Sequence, residues 1–237
     1  MTTIPLLATH PHPCSYLANE TAQTAFVHPG FPISTFLYNL LIAQGFRRSG
    51  DDVYQNICTQ CAACIPSRVN SSKFTPNRAQ RRCLTKNQDV QISIKPAEFE
   101  QQHYDLYIYY QRHKHADGNM QHSTPDEYLQ FLSSRWCDTR FVEFRLQQTL
   151  IAVAVVDFLP DALSAVYTFF NPDYAHLSPG TYAVLWQIQH AQQLSLKWVY
   201  LGYWIADCRK MRYKTQFQPM QILEHGLWRD FQQVNSE

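Results

Sequence analysis

The sequence from Thr149 to Phe170 reads TLIAVAVVDFLPDALSAVYTFF. It predicts two strands, 149–158 and 162–170, which are apolar almost throughout, as the central strands of a sheet are. The most apolar part, residues 150–159, is about half as long as a membrane span and contains the acid Asp157. The stretch therefore predicts the buried centre of a β-sheet, and we expect no transmembrane helix.

The order of predicted elements around these strands is typical of an α+β fold. It matches an acyltransferase fold of the GNAT type, in which a meander of strands runs into a helix. The predicted elements are helices over about 97–115, from about 123 and over about 182–194, and strands over 141–146, 149–158, 162–170 and 198–203.

GNAT folds bind coenzyme A at the loop before the central helix, through the backbone N–H groups of a glycine-rich stretch. Here that loop, His176–Thr181, contains one glycine, and Pro179 removes an N–H. This composition argues against a coenzyme A-dependent acetyltransferase, and a plain capped helix start is the alternative interpretation.

Charge is divided unevenly along the 237 residues. Residues 1–95 carry 9 Lys and Arg against 4 Asp and Glu, whereas residues 96–237 carry 11 against 15. The change near Lys95-Pro96 predicts a smaller, mixed, basic and Cys-containing domain, 1–95, and a GNAT-like transferase domain, 96–237. The basic excess is concentrated in residues 47–86, which indicates either an anionic partner or a solvated basic face.

The sequence of residues 1–95 predicts short secondary-structure elements of its own. We expect a β-rich segment over 20–28, a helix over 33–43, a strand over 65–71 and a short basic helix over 78–86.

The first residues lack the basic, apolar and small-residue sections of a signal peptide. We therefore expect a cytoplasmic protein that has no membrane partner. In that compartment the 7 cysteines should stay reduced, as structural thiols, metal ligands or reactive groups.

Several short segments together resemble one family, the bacterial aminoacyl-tRNA–protein transferases that add leucine to an N-terminal Asp or Glu. Their eukaryotic relatives are the arginyltransferases of the N-degron pathway. The segments are, in order, Pro13–Leu17 (PCSYL), Gly45–Asp51 (GFRRSGD), Cys58–Cys64 (CTQCAAC), Phe74–Cys83 (FTPNRAQRRC), His115–Met120 (HADGNM), Ala165–Phe170 (AVYTFF), Tyr200–Ile205 (YLGYWI) and Cys208–Lys214 (CRKMRYK).

The resemblance implies a GNAT-like catalytic half, aminoacyl-tRNA as donor and the N-terminus of a protein as acceptor, which is thereby marked for degradation. DNA is not an expected partner. Leucine is the expected donor residue, because Leu17 and the Cys-x-x-Cys-x-x-Cys segment indicate the bacterial branch, and arginine is the alternative. A non-catalytic RNA-binding module with a zinc site is a further alternative.

The expected chemistry is attack of an α-amine on an activated ester. A free α-amine has a pKa near ~8, so an appreciable fraction is neutral at physiological pH. Such a reaction needs positioning and stabilisation of an oxyanion rather than a triad. The sequence contains no Gly-x-Ser-x-Gly, Walker or His-Glu-x-x-His motif. Tyr167 and Tyr203, both in matched segments, are the candidate catalytic residues, and no cofactor is required.

The donor is a polyanion with an unpaired 3′ end, which proteins bind with basic groups on phosphates and aromatic faces on bases. The predicted tRNA-binding residues are Arg78, Arg81, Arg82 and Lys86 of the basic helix, with Lys210, Lys214 and Trp186. A surface helix and ordinary core packing are the alternative interpretations.

The acceptor presents a carboxylate beside an amine. Arginine holds a carboxylate in a two-pronged geometry that lysine lacks. Arg47 and Arg48, in a turn beside Gly50, are the predicted ligands of the acidic side chain, and Asp51 or Asp52 is predicted to pair with the amine. A solvated turn is the alternative.

The cysteines Cys58, Cys61 and Cys64 have a spacing close to that of an iron–sulfur ligand set, and Cys14 could supply a fourth thiolate. Zinc could use the same four residues. In the eukaryotic relatives, paired cysteines near the N-terminus bind a metal centre, but Leu17 stands here where a second cysteine is expected. Reduced thiols that pack the N-terminal half are the alternative, and we expect Cys83, Cys137 and Cys208 to pack as small apolar residues.

Overall fold

The structure is a computed structural model that describes residues 3–114 and 118–232. Its strands are β1 (Leu6–Ala8), β2 (His12–Pro13), β3 (Thr21–Ala22), β4 (Thr24–Val27), β5 (Arg47–Ser49), β6 (Asp52–Asn56), β7 (Ile65–Asn70), β8 (Gln91–Pro96), β9 (Thr139–Leu146), β10 (Thr149–Phe158), β11 (Ala162–Phe170), β12 (Trp198–Trp204), β13 (Met220–Glu224) and β14 (Leu227–Asp230).

The α-helices are α1 (Thr35–Ile42), α2 (Arg78–Lys86), α3 (Gln101–Lys114), α4 (Pro125–Leu132) and α5 (Pro179–Gln193), and 3₁₀ segments span Ser71–Lys73, Asn119–His122, Pro172–Leu177 and Arg209–Gln216. The predicted basic helix is confirmed as α2, which begins with a reciprocal cap between Asn77 and Gln80. The predicted helix from about 97 begins later, because the chain extends through Pro96 as strand β8, which sequence analysis missed.

One sheet of eight strands within the described ranges, called the large sheet, has the order β14-β13-β7-β12-β11-β10-β9-β8. Strands β9, β10 and β11 form the predicted antiparallel meander. Strand β12 follows α5 and pairs with β11 in parallel. The predicted α+β class is therefore confirmed.

Both faces of β10 are covered, which explains its apolar sequence. Ala152 and Ala154 face a core built with α5 and α2. Val153 and Val155, which alternate with them, face a second core built with α3 and α4. Within the described residues, no helix is long and apolar enough to cross a bilayer.

The change of charge near Lys95-Pro96 does not coincide with a break in the large sheet. Strand β8 ends at Pro96 and pairs with β9, while β7 pairs with both β12 and β13. Both predicted domains therefore contribute strands to one sheet, because main-chain pairing is independent of side-chain charge. The division at residue 95 stays a prediction.

The remaining N-terminal strands form a small sheet with the order β1-β4-β6-β5 and a two-stranded ribbon of β2 and β3. Helix α1 packs between this sheet and β12, where Tyr38, Leu41 and Ile42 meet Trp198 and Tyr200 in a third core. Strand β5 belongs to this small sheet, and its two arginines reach strands β10 and β11 of the meander.

Candidate active site

A cleft opens where β11 and β12 separate. The two strands pair only over Ala162–Ser164 and Trp198–Tyr200. Beyond that point a cavity of about 720 Å³ lies between Ala165–Thr168 on one side and Leu201–Tyr203 on the other, with the start of α5 at one end. A cavity of this volume accommodates a drug-sized organic ligand.

Arg47 forms part of the cleft wall. Its guanidinium donates to the Ser164 hydroxyl (3.5 Å) and to the Ala165 carbonyl oxygen (3.1 Å). Gly202, with φ of +80°, lies against the guanidinium, and a Cβ there would be 3.2 Å from Arg47 Nη2. The glycine therefore leaves room for Arg47 to reach the point where the strands part.

Lys214 is a second cation on the same wall. The 3₁₀ segment Arg209–Gln216 turns it inward, where it is buried and its ammonium donates to the Tyr203 carbonyl oxygen. Burial, with a smaller contribution from the positive charge of Arg47, lowers the pKa of Lys214 to about 7. Among the described residues neither Arg47 nor Lys214 forms an ion pair with a carboxylate.

Tyrosines form much of the remaining wall, and their hydroxyls are engaged differently. Tyr203 donates to the Gly45 carbonyl oxygen (3.2 Å), whereas the phenol oxygen of Tyr167 accepts an N–H from Gln111 (2.9 Å). Burial raises the pKa of both phenols, so both stay protonated. The cleft thus combines two cations with neutral hydroxyl groups.

Arg48 does not reach the cleft, which corrects its predicted role in acceptor binding. Its guanidinium is wholly buried and bonds both oxygens of Asp157, at 2.7 and 2.6 Å. Its other N–H groups donate to the Thr139 hydroxyl and to the carbonyl oxygens of Gly50, Leu132 and Ser133. With every donor used, Arg48 has none left for a substrate.

Asp51 is also engaged elsewhere. Its carboxylate accepts from the Ser134 hydroxyl (3.1 Å) and the Arg135 backbone N–H (2.8 Å), and it pairs with the Arg135 side chain. Although partial burial opposes ionisation, these bonds hold the pKa of Asp51 below its usual range. Neither Asp51 nor the exposed Asp52 lines the cleft, so the predicted pairing with the acceptor amine lacks a residue there.

The basic helix lies beside the cleft rather than in it. Its four cations, Arg78, Arg81, Arg82 and Lys86, are exposed. Gln80 donates to the Gln216 carbonyl oxygen (2.9 Å), which joins α2 to the segment that carries Lys210 and Lys214. Lys86 reaches the His176 carbonyl oxygen (3.4 Å), just before α5. The predicted basic groups of α2 therefore form one surface beside the cleft, and Lys210 lies on the cleft wall.

Trp186 lies away from the cleft. Its ring stacks on His190 (centroids 4.7 Å apart) and meets the edge of Phe144 (6.1 Å) on the large sheet. The predicted stacking role for Trp186 is therefore corrected to packing against the core, because α5 turns this face toward the sheet.

The four cysteines Cys14, Cys58, Cys61 and Cys64 line one smaller cavity of about 210 Å³, which shares Tyr16 and Tyr54 with the cleft. Among the described residues, no three of these sulfur atoms lie within 4.8 Å of one another. Burial raises the pKa of the Cys64 thiol to about 11. The thiols share a cavity but are not gathered into one ligand set in this structure, and the predicted zinc or iron–sulfur site stays a prediction.

Only Glu100, His103 and Glu143 meet the 4.8 Å spacing within the described ranges. Glu143 already bonds Lys95 and Arg145, so this cluster is a buried ion-pair network. The remaining cysteines, Cys83, Cys137 and Cys208, are buried as predicted.

Sequence analysis missed several residues in the cleft and in the core beside it. Asp157 breaks an apolar run, and this interruption could have predicted a buried cationic partner. Tyr16 lies in the matched segment Pro13–Leu17 but was given no role, and no comparable signal marks Gln111, Tyr54, Tyr110 and Lys114. Residues 115–117 of the predicted segment His115–Met120 lie outside the described residues.

Comparison with known proteins finds one family along the chain. Its profiles, described as "Arginine-tRNA-protein transferase, N terminus" and "C terminus", match residues 12–82 and 102–224. A protein of Pseudomonas aeruginosa named "Aspartate/glutamate leucyltransferase" is 48% identical over 221 residues, 93% of this chain and 94% of that protein. A protein of the same name from Teredinibacter turnerae is 49% identical over 224 residues, 94% of this chain and 92% of that protein.

Among solved structures, the crystal structure of FemX is similar, with a TM-score of 0.51 over 90% of this chain and 84% of that chain. The two sequences are 8% identical in this comparison, so the likeness concerns the fold alone.

Proposed function

Because the chain belongs to the arginine-tRNA–protein transferase family, and is therefore an aminoacyltransferase, we propose that it transfers leucine from leucyl-tRNA to proteins that begin with Asp or Glu. The names and identities of its relatives support leucine as the donor residue. The modified proteins are then marked for degradation in the cytoplasm. A meander that runs into α5, beside two diverging parallel strands, supports a GNAT-like catalytic half.

The observation that carries the proposal is the pair of cations in the cleft that has no acidic partner among the described residues. Over residues 3–114 and 118–232, Arg47 bonds a hydroxyl and a carbonyl oxygen, and Lys214 bonds a carbonyl oxygen. An uncompensated pair of buried cations favours an anionic ligand. In our proposal the acidic side chain of the acceptor binds the planar guanidinium of Arg47, with Lys214 beside it.

This arrangement divides the predicted basic residues between the two substrates. Lys214 is buried next to Arg47 and so belongs to the acceptor side of our proposal, in place of its predicted contact with tRNA. Lys210 and the cations of α2 are exposed along the rim and suit the phosphates of the donor. The ester end of the donor then enters the cleft near the start of α5.

No cofactor is required in this proposal, because aminolysis of an activated ester needs orientation and stabilisation of charge. The zinc or iron–sulfur site predicted at Cys14, Cys58, Cys61 and Cys64 takes no part in the reaction. Metal analysis of anaerobically purified protein tests this point. Stoichiometric iron or zinc that is lost from a Cys61→Ser variant would establish a metal site at these thiols.

The decisive experiment offers purified protein two labelled donors, leucyl-tRNA and arginyl-tRNA. The acceptors are peptides that begin with Asp or Glu, with matched peptides that begin with Asn or Gln. The amides keep the shape of the acids but lack their charge, so they test the role of the cations directly. We expect leucine on the Asp and Glu peptides alone.

Other outcomes of this experiment are equally informative. Arginine transfer in place of leucine would keep the reaction and change the donor. Equal transfer to the Asn and Gln peptides would overturn the role of Arg47. Tight tRNA binding without transfer would indicate a binding module, and acetylation of the peptides from acetyl-coenzyme A would indicate an acetyltransferase.

A further inference from the structure

A buried glutamine on α3 contacts one of the cleft tyrosines from behind. Gln111 has no exposed surface, and its side-chain amide donates to the phenol oxygen of Tyr167 at 2.9 Å. Gln111 does not line the cleft, whereas Tyr167 does. The contact therefore links a residue outside the cleft to the hydroxyl group of a tyrosine that lines it.

The ring of Tyr167 is held on two further sides. Phe131 meets it edge-on, with centroids 5.6 Å apart and planes at 74°, and Tyr107 lies at 6.3 Å. Together with the bond from Gln111, these contacts fix both the plane of the ring and the position of its oxygen. A hydroxyl fixed in this way is ready to act before substrate arrives.

The direction of the bond leaves the phenol proton available. An amide nitrogen donates and cannot accept, so the Tyr167 oxygen is the acceptor and its own O–H is not used by Gln111. Tyr203 differs, because its O–H already donates to the Gly45 carbonyl oxygen. Of the two candidate catalytic tyrosines, Tyr167 is therefore the one whose proton is not used by another described residue.

We propose that Gln111 is a positioning residue that holds the Tyr167 hydroxyl so that it donates to the carbonyl oxygen of the reacting ester. The inference rests on the proposed transferase function. The acceptor nitrogen bonds the ester carbon, and the carbonyl oxygen takes up the negative charge and receives the Tyr167 hydrogen bond. The bond to the ribose oxygen then breaks, and that oxygen leaves with the proton released by the nitrogen.

Tyr167 keeps its own proton throughout these steps. It acts as a hydrogen-bond donor to a developing oxyanion, a role whose removal in other enzymes lowers kcat by about 10²–10³-fold. Burial raises the pKa of Tyr167, which agrees with a phenol that stays protonated over the working pH range.

A double-mutant cycle tests the inference with leucyl-tRNA and an Asp-starting peptide. We expect Tyr167→Phe to lower kcat about 100-fold, and Gln111→Met to lower it about 10-fold, with KM for both substrates unchanged. Adding Gln111→Met to Tyr167→Phe should then lower kcat no further, because Gln111 acts through the hydroxyl. Gln187→Met is the matched control, since Gln187 is an equally buried glutamine, on α5, whose side-chain amide donates to the Ala183 carbonyl oxygen.

A second variant covers the case in which Gln111→Met fails to fold. Gln111→Glu keeps the volume, but only its protonated form can donate to Tyr167, so we expect transfer by this variant to fall as its carboxyl ionises. A pH profile identical to that of the wild type would overturn the inference, as would full activity of Tyr167→Phe or multiplicative losses in the double variant. A wild-type protein that transfers nothing would overturn the proposed function itself, and the inference with it.

Discussion

Arg47 and Arg48 are neighbours on β5, yet they occupy opposite electrostatic environments. Arg48 bonds both oxygens of Asp157 inside the core, and every donor it has is used. Arg47 lines the cleft, and its partners among the described residues are uncharged oxygens. Successive side chains of a strand point to opposite faces, so one residue step separates the two roles.

The difference teaches how to distinguish a structural cation from a functional one. A buried charge is tolerated when a partner and several hydrogen bonds replace its hydration, as at Arg48. At Arg47 and Lys214 the partner is missing among the described residues, and the Lys214 ammonium responds with a pKa lowered to about 7. The first arrangement compensates a buried charge within the fold, whereas in our proposal the second favours an anionic substrate.

The largest effect is expected on stability, from replacing Arg48. Arg48→Met leaves Asp157 buried without its cation, which costs about 3–5 kcal/mol of the free energy of unfolding. Urea denaturation followed by circular dichroism measures this loss through a lower midpoint.

The double variant Arg48→Met/Asp157→Leu is the control for this prediction. It removes both charges, so it should recover much of the lost stability. A single variant as stable as the wild type would show that the buried pair does not hold β5 against β10.

The second prediction concerns the other arginine. Arg47→Gln removes a charged donor to the acceptor carboxylate, so kcat/KM for an Asp-starting peptide should fall about 10- to 100-fold, as for loss of a charged hydrogen bond of about 1.5–3 kcal/mol. The free energy of unfolding should change by no more than about 1 kcal/mol, because Arg47 pairs with no carboxylate in the part of the chain that the structure describes.

Arg47→Lys separates charge from geometry in the same assay. It keeps the positive charge but loses the planar fork, so we expect an intermediate loss. Full activity of Arg47→Gln on Asp and Glu peptides would show that Arg47 does not bind the acceptor. The contrast with Arg48 would then have no bearing on function.

The sequence could identify Arg47 and Arg48 as candidate functional residues, but it could not predict which of them faces the cleft. Both arginines lie in one short motif. The alternation of side chains along a strand predicts that they face opposite sides, but not which side meets a core built from distant strands. Arg48 meets an acid 109 residues later in the chain. The α+β class, the meander and α2 were predictable because their patterns are local, whereas β8 was missed because an edge strand carries a weak pattern.

The third prediction uses the pH dependence of Lys214. Its pKa is about 7 in the folded protein and 10.5 in its unperturbed state, so the unfolded chain binds more protons between these values. Stability contributed by this residue therefore rises with pH from about 7 to 10, by at most about 1.4 kcal/mol per pH unit, and its cost is greatest below pH 7.

Lys214→Met should remove that cost, so the variant should melt at a higher temperature than the wild type at pH 6 and approach it near pH 10. Transfer activity should fall in the same variant, because residues that serve activity often lower the stability of the folded protein. A variant that melts lower at pH 6 would show that the ammonium contributes to the fold, as Arg48 does.

The smallest effect is expected from exposed cations that form no ion pair within the described ranges. Arg78 and Arg82 are exposed and one helical turn apart on α2, so Arg78→Gln/Arg82→Gln should leave stability and kcat at saturating tRNA unchanged. Binding of leucyl-tRNA should weaken, and the slope of log K against log salt concentration should decrease in magnitude by about 1 to 2. Arg229→Gln, on the exposed edge strand β14, is the matched control and should leave the slope unchanged. Equal slopes for the wild type and both variants would show that the cations of α2 form a solvated face. The cleft itself would then be the main source of affinity for the donor.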